Sequence, residues 1–192
     1  MSLENKLKTG IEELIEKDDE LRVKAEDSIL ELEPCKNCGW CCNNKRFLVT
    51  IPEMIRILKH TGKKFSEVFI IEDNKLSVSI KTVETYGKPY CMFFKDFKCQ
   101  IHDVKPFQCR TYPVTFHPQV FEFHKPIVVS KSIFKFKCGS PLKKKAEYLV
   151  KIDDFYNIAQ ERLAFLIYNY KIQRKLIIRG ELEKIVEEYV NI

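Results

Sequence analysis

The chain has 192 residues, of which 45% are hydrophobic and 31% are charged, and its formal net charge is +6. This composition excludes general disorder, and a chain of this length can bury a sizeable core without covalent cross-links. The small charge excess gives little reason to expect nucleic acid as a partner.

The N-terminus and the distribution of apolar residues predict a cytoplasmic protein. The first twenty residues carry acidic side chains and no uninterrupted apolar core, so we do not expect a signal peptide. No stretch approaches the roughly 18 apolar residues of a membrane span. In a reducing cytosol, clustered cysteines bind metal or do redox chemistry more often than they form structural disulfides. Abundant Lys, Glu and Ile are typical of thermophiles, in which intracellular disulfides do occur.

The first part of the chain is predicted to be helical. Apolar residues recur at broadly helical spacing over residues 3–32, and Gly10 is expected to fray or interrupt the start. Thr50 and Glu53 have the spacing of a capping box, which predicts a second helix that ends at Gly62. The stretch "SEVF" beyond it is expected to add one or two helical turns.

The middle of the chain is predicted to form strands. "KLSVSIKTV" alternates from Leu76 to Ile80 as a half-buried strand does. Further strands are predicted at "VTF", "QVFEF" and "PIVVS", which are rich in branched and aromatic residues. "CMFFKDFKC" predicts a hairpin around Lys95 in which Cys91 faces Cys99.

The C-terminal part is predicted to be helical again. It contains no proline from Leu142 onward, and a long amphipathic helix is predicted to begin at Glu147. Arg179 and Gly180 mark a break before a last short helix. Four apolar residues of the long helix are expected in the core or at an oligomer seam: Leu163, Leu166, Tyr170 and Ile177.

The cysteines are the candidate metal ligands. All eight lie between residues 35 and 138: Cys35, Cys38, Cys41, Cys42, Cys91, Cys99, Cys109 and Cys138. Thiolates are the soft ligands that zinc and iron–sulfur clusters select. Half of the eight fall within "CKNCGWCC", which is denser than a single zinc knuckle. The sequence therefore indicates a metal site more strongly than a disulfide framework.

The geometry of "CKNCGWCC" has two interpretations. In a helix, Cys35 and Cys38 would share a face with Cys42. If Gly39 instead forms a tight turn, Cys41 is the more natural third ligand. The sequence leaves this choice open.

Other residues near the cysteines have expected roles. Pro106 is expected to start a short helix that presents Cys109, and Arg110 is a candidate hydrogen-bond donor to a thiolate or a cluster sulfur. Trp40 is expected to shield the metal from water, and His102 to be an ordinary polar residue. Three aromatic residues are expected in the core: Phe93, Phe94 and Phe97.

These observations predict an α+β fold with a small cysteine-rich metal-binding core flanked by helices. The expected divisions are an N-terminal helical extension at residues 1–32, the core at 33–141, and C-terminal helices packed on it at 142–192.

The spacing of the cysteine motifs resembles a known family. "CKNCGWCC", then "CMFFKDFKCQIHDVKPFQCRTYP" and "CGSP", are similar to the CxxCxxCC family of YkgJ-type zinc- or iron-chelating proteins. The resemblance spans residues 35–141 and implies that the eight cysteines bind zinc or an iron–sulfur cluster of the 4Fe–4S type. His102 and Lys105 stand where the family has tyrosine and arginine, which weakens His102 as a required ligand. The pattern is also similar to the cysteine-rich part of the much longer flagellin lysine methylases.

Three hypotheses follow. The first is a metal-binding protein with a redox role or a role accessory to protein modification, whose partners are the metal ion and a protein. The second, which rests on analogy alone, is a lysine N-methylase-like enzyme or subunit. The third is a zinc-stapled module that binds protein or nucleic acid. The chain has no glycine-rich methyltransferase loop and no C-x3-C-x2-C motif, so the sequence does not decide whether it is an enzyme.

Overall fold

The computed structural model describes most of the chain. The described residues are 3–31, 39–43, 48–72, 76–85, 87–116, 127–140 and 147–191. Within them the α-helices are α1 (Leu3–Ser28), α2 (Ile51–Thr61), α3 (Phe65–Val68), α4 (Phe107–Thr111), α5 (Ile152–Ile178) and α6 (Leu182–Val190). The strands are β1 (Ile29–Glu31), β2 (Phe69–Glu72), β3 (Ser77–Ile80), β4 (Thr82–Thr85), β5 (Lys88–Cys91), β6 (Phe94–Lys95), β7 (Lys98–Cys99), β8 (Ile127–Ser130), β9 (Ile133–Lys137) and β10 (Glu147–Lys151).

The predicted α+β class is confirmed. A four-stranded antiparallel sheet has the order β1-β10-β9-β8, and three two-stranded antiparallel sheets pair β2 with β3, β4 with β5, and β6 with β7. Helices lie at both ends of the chain, and α1 packs along α5. None of the described helices has a stretch apolar enough to cross a membrane. The division at residues 1–32, 33–141 and 142–192 stays a prediction.

The first helix differs from its prediction at both ends. It runs through Gly10 without a break, because the missing side chain lets α1 approach α5 closely. A Cβ atom at Gly10 would lie 2.9 Å from both the Ile172 Cδ1 atom and the Tyr168 hydroxyl. The helix ends at Ser28, earlier than predicted, because the next three residues pair with β10, with Ile29 opposite Val150.

The second helix begins and ends as predicted. The Glu53 carboxylate accepts the Thr50 N–H at 2.8 Å, which is the glutamate half of the predicted capping box. Gly62 ends the helix with a φ of +63°, and its N–H donates to the Leu58 carbonyl at 2.9 Å. The turn predicted at "SEVF" is confirmed as α3, which begins one residue earlier.

Two strand predictions are wrong in detail. All four residues of β3 are buried, so this strand is not half-buried. It is covered on both sides, because β2 pairs with it on one side and the Val49 N–H donates to the Val78 carbonyl at 3.0 Å on the other. "VTF" forms no strand, because Val114 closes a turn after α4 and Phe116 enters the aromatic core. "PIVVS" is confirmed as β8, whereas "QVFEF" lies outside the described residues.

The long C-terminal helix begins later than predicted. Glu147 opens β10 instead, and its carboxylate pairs with Lys135 at 2.6 Å and with Lys137 at 3.0 Å on β9. The break at Arg179–Gly180 is confirmed, with Gly180 at a φ of +68°.

The predicted apolar stripe of α5 is confirmed in part. Leu166 and Ile177 are partly buried and pack against the core, whereas Leu163 is half-buried and Tyr170 is 43% exposed. The buried face comprises Phe155, Ile158, Ala159, Arg162, Phe165, Asn169, Ile172, Gln173 and Leu176.

A buried ionic network explains the polar residues on this face. The Arg162 guanidinium donates to the Asp18 carboxylate at 3.1 Å and to the Glu53 carboxylate at 3.2 Å. Arg56 donates to the other Asp18 oxygen at 2.7 Å. The Arg162 guanidinium also lies 4.3 Å from the centre of the Phe107 ring. The network therefore joins α1, α2, α4 and α5.

Replacement of Arg162 tests this network. Arg162→Met should lower the free energy of unfolding by about 3–5 kcal/mol, because it leaves two buried carboxylates without their shared partner. Urea denaturation followed by circular dichroism measures the change. Arg174→Met, on the exposed face of the same helix, is the matched control and should have little effect. An equal loss in both variants would contradict the role of the network.

Candidate metal centre

The six described cysteines come from five separate places in the fold. They are Cys41 and Cys42 in a 3₁₀ turn, Cys91 at the end of β5, Cys99 at the end of β7, Cys109 in α4, and Cys138 directly after β9. No disulfide joins any two of these six. Cys35 and Cys38 lie outside the described residues.

The turn that carries Cys41 and Cys42 depends on Gly39. This residue has a φ of +71°, and its carbonyl accepts the Cys42 N–H at 2.9 Å. A Cβ atom at Gly39 would lie 2.3 Å from the Phe94 Cζ atom, so the ring of Phe94 fills the place of a side chain. The Cys41 and Cys42 sulfur atoms are 4.0 Å apart. For this part of the motif, the structure has the tight turn and not the α-helix.

The hairpin predicted around Lys95 has a different register. Cys99 pairs with Phe94, and Cys91 pairs with Thr82 in the neighbouring β4–β5 hairpin, so the prediction that Cys91 faces Cys99 is wrong. The loop consists of two residues with positive φ, Asp96 and Phe97. The middle of the turn therefore lies between Asp96 and Phe97 and not at Lys95.

Backbone N–H groups point at two of the sulfurs. Burial raises the pKa of Cys91 to about 11, and the N–H of Phe93 partly opposes this by hydrogen bonding to the sulfur. Burial also raises the pKa of Cys99, which the Ile101 N–H opposes in the same way. Both donors lie two residues after their cysteine. Such N–H donors stabilise a thiolate, the form of cysteine that binds metal.

Electrostatic effects show that five sulfurs lie near one another. A hydrogen bond with Cys41 raises the pKa of Cys42, as do burial and the charges of Cys91 and Cys109. Burial raises the pKa of Cys109, and the charges of Cys91, Cys41 and Cys99 raise it further. The charge of Cys41 contributes to the raised pKa of all four other thiols. Cys41 is therefore the sulfur that the other described cysteines share as a neighbour.

Cys138 is connected to this group through Tyr112. Burial raises the pKa of the Tyr112 hydroxyl, and the neighbouring charges of Cys138 and Cys41 raise it further. The side chain of Tyr112 thus lies near both cysteines.

The residues around the cysteines meet some expectations and not others. Pro106 precedes α4 and thereby presents Cys109 as predicted. Arg110 binds the Glu26 carboxylate and the Asp103 carbonyl, so the hydrogen bonds described for it go to oxygen and not to sulfur. The side chain of His102 is 64% exposed, as suits an ordinary polar residue.

The aromatic residues are divided between the core and the surface. Phe93 and Phe94 are buried as predicted, but Phe97 is 57% exposed, so its prediction is wrong. Trp40 stands beside Cys41 and is 37% exposed. Its role as a shield for the metal stays a prediction.

The spacing of Glu53 from Thr50 predicts only a helix cap, yet Glu53 also positions α4. Its carboxylate accepts the Phe107 N–H at 2.9 Å, two residues before Cys109. Burial opposes ionisation of Glu53, but Arg162 and the N–H groups of Thr50 and Phe107 outweigh it and lower the pKa. Because the contact with Phe107 spans 54 residues, the local sequence carries no signal for it.

Among the described residues, no three histidine, cysteine or acidic side chains are arranged to hold a metal ion by themselves. The five neighbouring thiols thus supply the right donor atoms without a closed coordination site. Metal binding commonly completes such a site, since the ligands must lose protons and converge as the metal enters.

The comparisons with known proteins give one match. A family model, CxxCxxCC, described as "Putative zinc- or iron-chelating domain", matches residues 34–138, which is more than half of the chain. No curated protein and no solved structure matches. The similarity to flagellin lysine methylases therefore gains no support and stays a prediction.

Two glycine variants test the contact between the cysteine turn and Phe94. Gly39→Ala and Gly87→Ala should each lower the free energy of unfolding by about 1–2 kcal/mol, because both glycines have positive φ. Gly39→Ala should lower the free energy of unfolding by about a further 1–3 kcal/mol, because the added Cβ clashes with Phe94. Gly87→Ala has no such clash, since no described atom lies within 4 Å of a Cβ at Gly87. Thermal denaturation of both variants measures the difference. Equal losses would show that the turn can move away from the ring.

Proposed function

This chain belongs to the CxxCxxCC family, and we propose that it is a metal-binding protein whose cysteines hold an iron–sulfur cluster or zinc. The observation that carries this proposal is the proximity of Cys41 to four thiols whose pKa values are raised by their burial and their neighbours: Cys42, Cys91, Cys99 and Cys109. Sulfur atoms that repel one another when ionised are stabilised together by a cation at their centre.

The chemistry of the donors narrows the choice of metal. Clustered thiolates select zinc, copper(I) and iron–sulfur clusters, whereas magnesium and calcium take oxygen ligands. The nearest buried carboxylate, Glu53, already accepts hydrogen bonds from Arg162 and two backbone N–H groups. It supplies a fixed charge behind Cys109 and is not proposed as a ligand.

The number of thiols favours more than a single mononuclear site. One tetrahedral zinc or one 4Fe–4S cluster needs four cysteines. The five neighbouring thiols, with Cys35 and Cys38 from the same motif, exceed that number. The proposal therefore includes a second metal, or a pair of thiols that stays redox-active beside the metal. It also includes a reducing, cytoplasmic setting, because the thiols must stay reduced to bind metal.

Anaerobic purification followed by metal analysis tests the proposal. A brown protein that absorbs broadly at about 400 nm and contains iron with acid-labile sulfide would identify an iron–sulfur cluster. A colourless protein with stoichiometric zinc would identify zinc and exclude a redox-active metal. Protein that folds fully without metal, with its cysteines oxidised in pairs, would refute the proposal.

Two serine variants test the ligand set. Cys41→Ser should lose most of the bound metal, because Cys41 neighbours every other thiol of the group. Cys138→Ser should retain more of it, since Cys138 is connected to the group through Tyr112. The metal-to-protein ratio after anaerobic gel filtration measures both. If Cys138→Ser loses more metal than Cys41→Ser, the central position of Cys41 is contradicted.

A further inference from the structure

The β6–β7 hairpin breaks two rules of local stability within four residues. We call residues Lys95 to Lys98 the KDFK hairpin. Its two lysines are exposed and stand directly opposite each other across the strands. Like charges in directly opposed positions destabilise a hairpin.

The second broken rule concerns the turn. Asp96 and Phe97 have φ values of +49° and +58°, which hairpin turns normally assign to asparagine and glycine. A bulky aromatic residue at such a position is strained, and the ring of Phe97 is 57% exposed. Residues that lower local stability and bury little surface commonly serve a function rather than the stability of the fold.

A pocket of mixed polarity opens beside the exposed ring. Its volume is about 230 Å³, its apolar side chains are Val83, Met92, Phe94 and Phe97, and its polar ones are Thr85, Lys95 and Asp96. Val83 is itself 44% exposed. The pocket is thus of a size to accept one or two side chains of a partner rather than a large ligand.

Three lysines lie at or beside this pocket. Lys95 lines it, Lys98 lies opposite Lys95, and Lys88 lies opposite Thr85, which also lines the pocket. All three lysines are exposed, and none has a described ion pair. The nearby acids are Glu84 and Asp96, so the positive charge prevails.

We propose that the KDFK hairpin and its pocket form a docking site for an acidic peptide segment that carries an apolar side chain. The apolar side chain enters the pocket beside Phe97, and the carboxylates meet the three lysines. The small net charge of the chain favours a peptide over nucleic acid.

The docking site adjoins the cysteine turn. Phe94 stacks on Tyr90 with ring centres 5.2 Å apart and meets Phe97 edge-on at 6.2 Å. The same Phe94 ring covers Gly39, two residues before Cys41. The docking site does not depend on the proposed metal site, because the exposure, strain and charge of the hairpin and the pocket beside it require no metal.

Fluorescence anisotropy with the full-length protein tests the proposal. The probe is a short fluorescein-labelled peptide of repeating Glu-Glu-Leu. It is compared with the same peptide carrying Lys in place of Glu, with one carrying Ser in place of Leu, and with an oligouridine of equal length. The Glu-Glu-Leu peptide should bind at least about tenfold more tightly than either comparison peptide.

Phe97→Gly is the sharpest variant, because it removes the ring and creates the favoured Asp-Gly turn. It should weaken binding of the Glu-Glu-Leu peptide about tenfold without lowering the melting temperature. Lys95→Glu should also weaken binding while replacing the opposed lysines by an opposite-charge pair that stabilises the hairpin. Lys171→Glu, an equal charge change at an exposed position of α5, is the control and should bind like the parent chain.

Several outcomes would overturn the proposal. One is a Glu-Glu-Leu peptide that binds no more tightly than the two comparison peptides. Unchanged affinity in Phe97→Gly, or an equal effect of Lys171→Glu and Lys95→Glu, would remove the hairpin from the site. A marked fall in the melting temperature of Phe97→Gly would assign Phe97 a structural role instead. Tighter binding of oligouridine with the same dependence on Phe97 would identify a nucleic-acid site.

Discussion

The arrangement of the helices depends on one buried arginine. Arg162 of α5 neutralises Asp18 of α1 and Glu53 of α2, and none of the three charges could be buried alone without a large penalty. The helices must therefore assemble together in one register. Glu53 extends this constraint to α4, because it also accepts the Phe107 N–H. A charge cluster in the helical body thus fixes the segment that carries Cys109.

The cysteine region, by contrast, consists of pieces too short to be stable alone. Cys41, Cys99 and Cys109 belong to a three-residue 3₁₀ turn, a two-residue strand and a five-residue helix. Buried aromatic side chains hold these pieces near one another. Burial raises the pKa values of Cys99 and Cys109, and repulsion from neighbouring ionised thiols raises them further. A metal would remove that repulsion and cross-link the pieces, so its binding energy would also be folding energy.

The sequence predicted those features whose causes are local. The start of α2 follows from Thr50 and Glu53, and its end follows from Gly62, because these residues act on their own backbone. The extent of β10 could not be predicted, since pairing with β9 on one side and with the distant β1 on the other makes Glu147–Lys151 a strand. Arg162 resembled a surface charge, because its two partners lie 144 and 109 residues away in the chain. The cysteines could be recognised as a group from the sequence. The strand register of their hairpin could not be predicted, because the turn that sets it contains no glycine or asparagine.

The position of Phe94 joins the two candidate sites physically. Its ring occupies the space where residue 39 would carry a side chain, so the ring and the cysteine turn cannot shift independently. Phe97 packs against the other part of the same ring. A partner held at the KDFK hairpin would therefore restrict Phe94, and through it the turn that presents Cys41. If peptide binding alters metal affinity by some factor, thermodynamic linkage requires metal to alter peptide affinity by the same factor.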